Sequence, residues 1–262
     1  RALFPENDDY ETLVGRILRR CGGGDEVIET CLALLGDPQA KVSDEIKTAV
    51  STTWAAWAGH PGPENRASQI LSLVCRDRQS EPRVRAAFER FRARPEEPIK
   101  RELGNPTWTP IRHWALFYLA RTLGNLADHA SVDALLAVLT DDLNEARHGR
   151  PDPSQPDIHF LQLDYTPCWR ASAAWALGRI GDRRAVPALL RAVANMDNAT
   201  DVRHAAAEAL QRLADPASLS ELRQLAESYP EVSTRRVLLA TCESLTAAEQ
   251  ATKKMAKTAN EQ

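Results

Sequence analysis

Apolar residues recur along the chain at i, i+3, i+4 and i+7, the period of a helix with one buried face. In the second half the pattern gives Val132/Leu135/Leu136/Leu139, Val186/Leu189/Leu190/Val193 and Leu219/Leu222/Leu225. Each stripe follows a segment that ends in aspartate. The segments are Leu123-Gly124-Asn125-Leu126-Ala127-Asp128, Leu177-Gly178-Arg179-Ile180-Gly181-Asp182 and Leu210-Gln211-Arg212-Leu213-Ala214-Asp215. Their aspartates stand 54 and then 33 positions apart. Repetition at such a period marks a solenoid of stacked helix pairs. One helix runs up to the aspartate, a second begins just beyond it, and neighbouring pairs complete each other's core. Ala171, Ala173, Ala174 and Ala176 line one first helix and let its neighbours approach closely.

The first half follows the same logic less regularly. Ile28, Cys31, Leu32 and Leu35 form a stripe closed by Gly36-Asp37-Pro38. Residues 41–58 read as a long helix with Ile46, Ala49, Val50, Thr53 and Trp57 inward, and Ala67, Ile70, Leu71 and Val74 as the stripe of its partner. Residues 82–92 read as another first helix, and 107–126 as a long, almost wholly apolar one. Breaks fall at Gly22-Gly23-Gly24, His60-Pro61-Gly62-Pro63 and Asn105-Pro106. No run alternates apolar and polar residues between turns, so no strand is expected. The expected fold is all-α: a right-handed α-α superhelix of about six or seven irregular helix pairs. It forms one domain over residues 1–250, irregular in 1–106 and clearer in 107–245, with a frayed polar tail at 251–262 that carries Lys253, Lys254 and Lys257.

Composition narrows the function. With 43% hydrophobic and 26% charged residues, the 262-residue chain is too polar for a membrane protein and too apolar for a disordered one. Only 6% of residues are aromatic, which fits alanine-lined helix stacking. The 33 basic and 36 acidic residues nearly cancel, to a net charge of −3. That balance speaks against a nucleic-acid binder built on a dominant basic surface, and against attraction to a membrane surface. Cys21, Cys31, Cys75, Cys168 and Cys242 are scattered, odd in number and without a C-x-x-C, so no disulfide framework or zinc ribbon is expected. Buried free thiols in a reducing, cytoplasmic compartment are the expectation. The apolar stretch Trp114–Ala120 is far too short to span a membrane, and no signal peptide opens the chain. The first residue is Arg1 rather than methionine, so a fragment or a processed product is expected.

The run Trp169-Arg170-Ala171-Ser172-Ala173-Ala174-Trp175-Ala176-Leu177-Gly178-Arg179-Ile180-Gly181-Asp182, continuing Arg183-Arg184-Ala185-Val186-Pro187-Ala188-Leu189-Leu190, resembles a HEAT-like repeat of the short phycobilisome-lyase type. Val202-Arg203-His204-Ala205-Ala206-Ala207-Glu208-Ala209-Leu210 resembles the first helix of another. The resemblance covers about 110–245 and implies a fold far more than an activity. It also implies that Arg170, Arg203, Asp182 and Asp215 build a structural ladder between repeats. Three relatives of this fold have activities to weigh. Deoxyhypusine hydroxylase needs paired His-Glu motifs for two irons, and none of His60, His113, His129, His148, His159 and His204 is followed by glutamate. Phycobilin lyase subunits are similar in repeat type and size, but no residue here singles out a bilin. HEAT-like DNA glycosylases need a basic concave face, which the charge balance disfavours.

One feature departs from the repeat. The spacing of 54 holds an insertion near 142–166, from Asp142-Leu143-Asn144-Glu145-Ala146-Arg147-His148 through Pro151, Pro153 and Pro156 to the apolar end His159–Tyr165. Insertions in solenoids fall on one face, often the binding face. One reading makes it a partner-contacting loop, with His159, Tyr165, Trp169 and Arg170 at its docking end. The other makes it a strap that seals the seam between two repeats. A metal reading would use His148, Asp152, Asp157, His159 and Asp164, whose spacing matches no ligand pattern. Residues 141–164 carry six acids against Arg147 and Arg150, so the insertion suits a partner with a basic surface. Tryptophans at 54, 57, 108, 114, 169 and 175 sit at helical spacing beside alanines, as core residues do. Trp175 stands out, because its counterpart one repeat on is Glu208. Gly22-Gly23-Gly24 lacks the G-x-x-x-x-G-K-[ST] pattern, and neither H-E-x-x-H nor G-x-S-x-G occurs.

The expected function is a non-catalytic protein-protein interaction scaffold, using the concave face and the 142–166 loop. The expected partner-binding residues are His159, Tyr165, Trp169, Arg170 and Trp175, with no catalytic residue, metal or cofactor. The partner is a protein; nucleic acid and membrane are disfavoured. Two alternatives stand: the helical module of a larger bacterial enzyme, for example a flavin-dependent oxidoreductase, and a nucleic-acid-binding array.

Overall fold

The aspartate turn converts the periodic stripes into an array. Asp37, Asp77, Asp128 and Asp182 each accept the backbone N–H two residues on, from Gln39, Gln79, Ala130 and Arg184, at 2.9 to 3.0 Å. After Asp77, Asp128 and Asp182 this bond opens one turn of 3-10 helix that runs directly into the next helix. The residue before the aspartate stops the preceding helix in the left-handed region: φ is +80° at Gly36, +87° at Gly181 and +54° at Ala127. The N–H groups of Asp37 and Asp128 then bond back to the Leu32 and Leu123 carbonyls, at 2.9 and 3.1 Å, satisfying helix-end acceptors. Asp215 departs from this pattern. Its carboxylate takes the Ser218 hydroxyl at 3.3 Å.

The computed structural model describes residues 24–44, 48, 63–94, 111–140 and 169–260. They form α1 (Gly24–Leu34), α2 (Pro63–Val74), α3 (Glu81–Ala93), α4 (Ile111–Leu126), α5 (Val132–Leu139), α6 (Trp169–Ile180), α7 (Val186–Ala194), α8 (Thr200–Leu213), α9 (Leu219–Glu227) and α10 (Val232–Asn260), with no strand among the described residues. First helices α1, α2, α4, α6, α8 and α10 stack in order as one row. Second helices α3, α5, α7 and α9 each pack across the first helix that follows them. The stripes read from the sequence lie between the rows: Ile28, Cys31, Leu32, Leu35, Val132, Leu135, Leu139, Val186, Leu189, Leu190 and Val193 are all buried. The described helices thus form an all-helical solenoid of stacked pairs.

Close stacking of the first-helix row depends on two glycines. A Cβ on Gly124 would lie 2.9 Å from the Ala176 Cα, and one on Gly178 would lie 2.8 Å from the Ala209 Cα. A larger side chain at either point would push α4 off α6, or α6 off α8.

Two expectations are corrected here. Residues 63–74 are a first helix, and 81–93 its second helix, because Asp77 is another copy of the aspartate turn. The copy is hard to see in the sequence, since Cys75-Arg76 stands where Gly or Ala precedes the other turns. The C-terminal segment is helical through Asn260 rather than frayed. It is rich in Ala, Lys, Glu and Gln, has neither Gly nor Pro, and carries a Glu249–Lys253 pair at 2.6 Å. Residues 251–255 are exposed, as their polarity requires. Ile46, Ala49, Val50, Thr53 and Trp57 lie outside the described residues, as do Cys21 and Cys168. No helix of the described residues is long and apolar enough to cross a membrane.

Candidate functional site

The insertion at 142–166 lies outside the described residues, and with it His159, Tyr165 and the suggested ligands His148, Asp152, Asp157 and Asp164. Trp169 and Arg170 open α6 and are both buried. Arg170 Nε donates to the Leu139 carbonyl at 3.0 Å, and its Nη2 to Asn198 Oδ1 at 2.8 Å. Asn198 Nδ2 in turn donates to the Ala192 carbonyl at 2.8 Å. One repeat on, Arg203 donates to the carbonyls of Met196 and Asn198 and pairs with Glu231. Each arginine therefore places positive charge on the carbonyl-rich end of the preceding second helix or on the loop that follows it.

The expected ladder is redistributed. Arg170 and Arg203 do join repeats, but through carbonyls, Asn198 and Glu231 rather than through Asp182 and Asp215. Asp182 binds Arg184 of its own turn at 2.7 Å. Arginine–aspartate links between repeats come instead from α3, where Arg83 reaches Asp37 at 2.5 Å and also Glu29 and Arg85 reaches Asp128 at 2.6 Å, and from Arg184, which reaches Asp133 at 3.3 Å. Bonding to the Arg83 guanidinium and to the Lys41 N–H holds the Glu29 carboxyl down to about 2.

The described aromatics divide into two sets. Phe88, Phe91, Trp169 and Tyr229 are buried. Trp114, Phe117, Tyr118 and Trp175 are half-buried, and they gather on the neighbouring helices α4 and α6. Trp114, Phe117, Tyr118 and Arg121 fall at i, i+3, i+4 and i+7, so one face of α4 carries them all. Trp114 stacks on Tyr118 with centroids 5.8 Å apart, and Phe117 meets Tyr118 edge-on at 5.0 Å. Trp175 lies over Gly124, where a Cβ would come within 2.9 Å of its ring. The guanidinium carbons of Arg121 and Arg179 sit 5.3 and 5.6 Å from the Trp175 centroid. The Ser172 hydroxyl fastens α6 to the Phe117 carbonyl at 2.7 Å, which fixes the two halves of the cluster relative to each other.

This cluster offers stacking surface and cations, the ingredients of a docking patch. Among the described residues, no group of three or more His, Cys, Asp or Glu could hold a metal ion. Burial pushes the thiols of Cys31 and Cys75 up to about 12 and about 11, far from thiolate chemistry at neutral pH. His204 is buried against the Thr234 hydroxyl at 3.2 Å, with Glu208 Oε1 3.5 Å away.

Of the expected partner-binding residues, Trp175 is the one this cluster contains, and Trp114, expected in the core, joins it half-buried. Its α4 members were missed because that helix is apolar all round, which hides a face among its hydrophobes. The available signal was chemical: aromatics crowd one stripe of α4 while leucines and alanines fill the others. Residues 160–241 match a family model of HEAT repeats, and residues 115–141 match that of the PBS lyase HEAT-like repeat. No curated protein matches the chain.

Proposed function

The chain is a HEAT-like repeat protein, and from that premise we propose that it works as a non-catalytic protein-interaction scaffold whose docking face is the aromatic and cationic cluster of α4 and α6. One observation carries this reading. The described aromatics outside the cluster are buried, while Trp114, Phe117, Tyr118 and Trp175 share one half-open surface. Aromatic and arginine side chains concentrated on such a patch are what protein interfaces use as anchors. Trp169 and Arg170 are buried, and Arg170 bonds the Leu139 carbonyl and Asn198, so the docking role falls to Trp175. The buried thiols Cys31, Cys75 and Cys242 favour a reducing, cytoplasmic setting for a single domain over 1–250.

The test is affinity purification of the tagged chain with quantitative mass spectrometry. Trp175→Ala and Tyr118→Ala are each compared with Ala137→Ser on α5. The expected result is a set of proteins depleted by the first two changes and kept by the third, with melting temperatures that show all three folded. A set unchanged by either cluster substitution would reject the docking face.

A further inference from the structure

The charge around Trp175 differs from that of the chain as a whole. Arg179 is exposed, and its guanidinium carbon lies 5.6 Å from the Trp175 centroid, within reach of the ring's attraction for a cation. It has no hydrogen-bond or ion-pair partner among the described residues. Arg212 occupies the same register on α8, three positions before its turn aspartate, and is exposed as well. Of the nearby carboxylates, Asp182 is held by Arg184, and Glu208 lies 3.5 Å from His204 Nε2, so the arginines outnumber the acids along this edge. Arg121 adds a second guanidinium to the Trp175 ring. A near-neutral chain thus presents one edge that is cationic and aromatic together.

We propose that this edge, formed by Trp175 and Arg179 on α6 with Arg212 on α8, docks an acidic segment of a partner protein. Carboxylates of the partner take the guanidinium N–H edges, where charge-assisted bonds are strongest. An apolar side chain between those carboxylates covers the open part of Trp175. The indole keeps the guanidinium in place before the partner arrives, which lowers the ordering cost of binding. Opposite charge also steers the encounter, so association weakens with salt. The proposal rests on the scaffold reading and names the chemistry of its partner.

The experiment uses the purified full chain and a fluorescein-labelled peptide alternating glutamate and leucine, followed by fluorescence anisotropy. A lysine–leucine peptide and a single-stranded oligothymidylate are run beside it. The wild-type chain is expected to bind the glutamate peptide, more weakly as salt rises, and to ignore the lysine peptide. Arg179→Glu is expected to lose roughly tenfold or more, the effect of one charge-assisted bond. Trp175→Ala is expected to weaken binding too, while Arg191→Glu on α7 leaves it unchanged. No binding at low salt, or equal losses from Arg179→Glu and Arg191→Glu, overturns the proposal. Tighter binding of the oligothymidylate with the same dependence on Arg179 reassigns the edge to nucleic acid and overturns it as well. If the glutamate peptide fails while Trp175→Ala still depletes cellular partners, the acidic chemistry falls and the scaffold reading stands.

Discussion

Ala127 sits at φ +54°, in the place that Gly36 and Gly181 fill at the other turns. A left-handed conformation costs a residue with a Cβ about 1 kcal/mol or more relative to glycine. Ala127→Gly is therefore expected to raise stability by roughly 1 kcal/mol in urea unfolding. Gly181→Ala, with open space around the new Cβ, is expected to lower it by a similar amount, and a loss from Ala127→Gly or a gain from Gly181→Ala would refute the backbone account. A second single-residue effect concerns acid. The Glu29 carboxyl titrates at about 2 in the fold against an ordinary 4.5. A depressed folded value means that its contribution is complete above the unfolded value and disappears as pH falls from 4.5 toward about 2. Glu29→Gln is expected to flatten the pH dependence of the urea midpoint across that window, and an unchanged slope would remove Glu29 from the acid response. The aspartates of the turns were legible in the sequence because one residue type does one local job. The second role of Asp128, buried under Arg85 from another repeat, was not legible, since nothing near it in sequence announces the arginine.

Whole helices are legible wherever the stripe and its closing aspartate agree. They are not at α2 and α3, where Cys75-Arg76 replaces the expected small residue and hides the turn that sets the row of each helix. The capping arginines show the same limit. Arg170 and Arg203 lie in the run that resembles the repeat, yet their acceptors are carbonyls and an asparagine in neighbouring elements, which no local pattern reveals. These arginines join elements, so their removal acts at that scale. Arg203→Met leaves the Met196 and Asn198 carbonyls without their donor and Glu231 without its partner. Breaking such a pair from one side costs about 3–5 kcal/mol. Adding Glu231→Gln to Arg203→Met is expected to recover part of the loss, measured by a double-mutant cycle in chemical unfolding. Strictly additive losses would show that the two residues do not act together.

Across the molecule, averages conceal what the arrangement shows. A net charge of −3 is the sum of an acidic stretch at 141–164 and of arginines gathered elsewhere, among them Arg121 and Arg179 on Trp175. A 6% aromatic content is too low to fill a core with rings, so half of the described aromatics could be placed together near the surface of α4 and α6 while alanine and leucine did the packing. The array was legible as a repeat fold because its period is written in the sequence. The surface was not, because the repeat pattern sets α4 beside α6 without showing which of their side chains stay partly exposed. The direct test of a scaffold working through that surface is photo-crosslinking in living cells, with a benzophenone amino acid in place of Tyr118 on α4 or of Ala137 on the exposed side of α5. The account predicts discrete protein adducts from position 118 and none from position 137. Adducts from 137 alone, or none from either site, would contradict it.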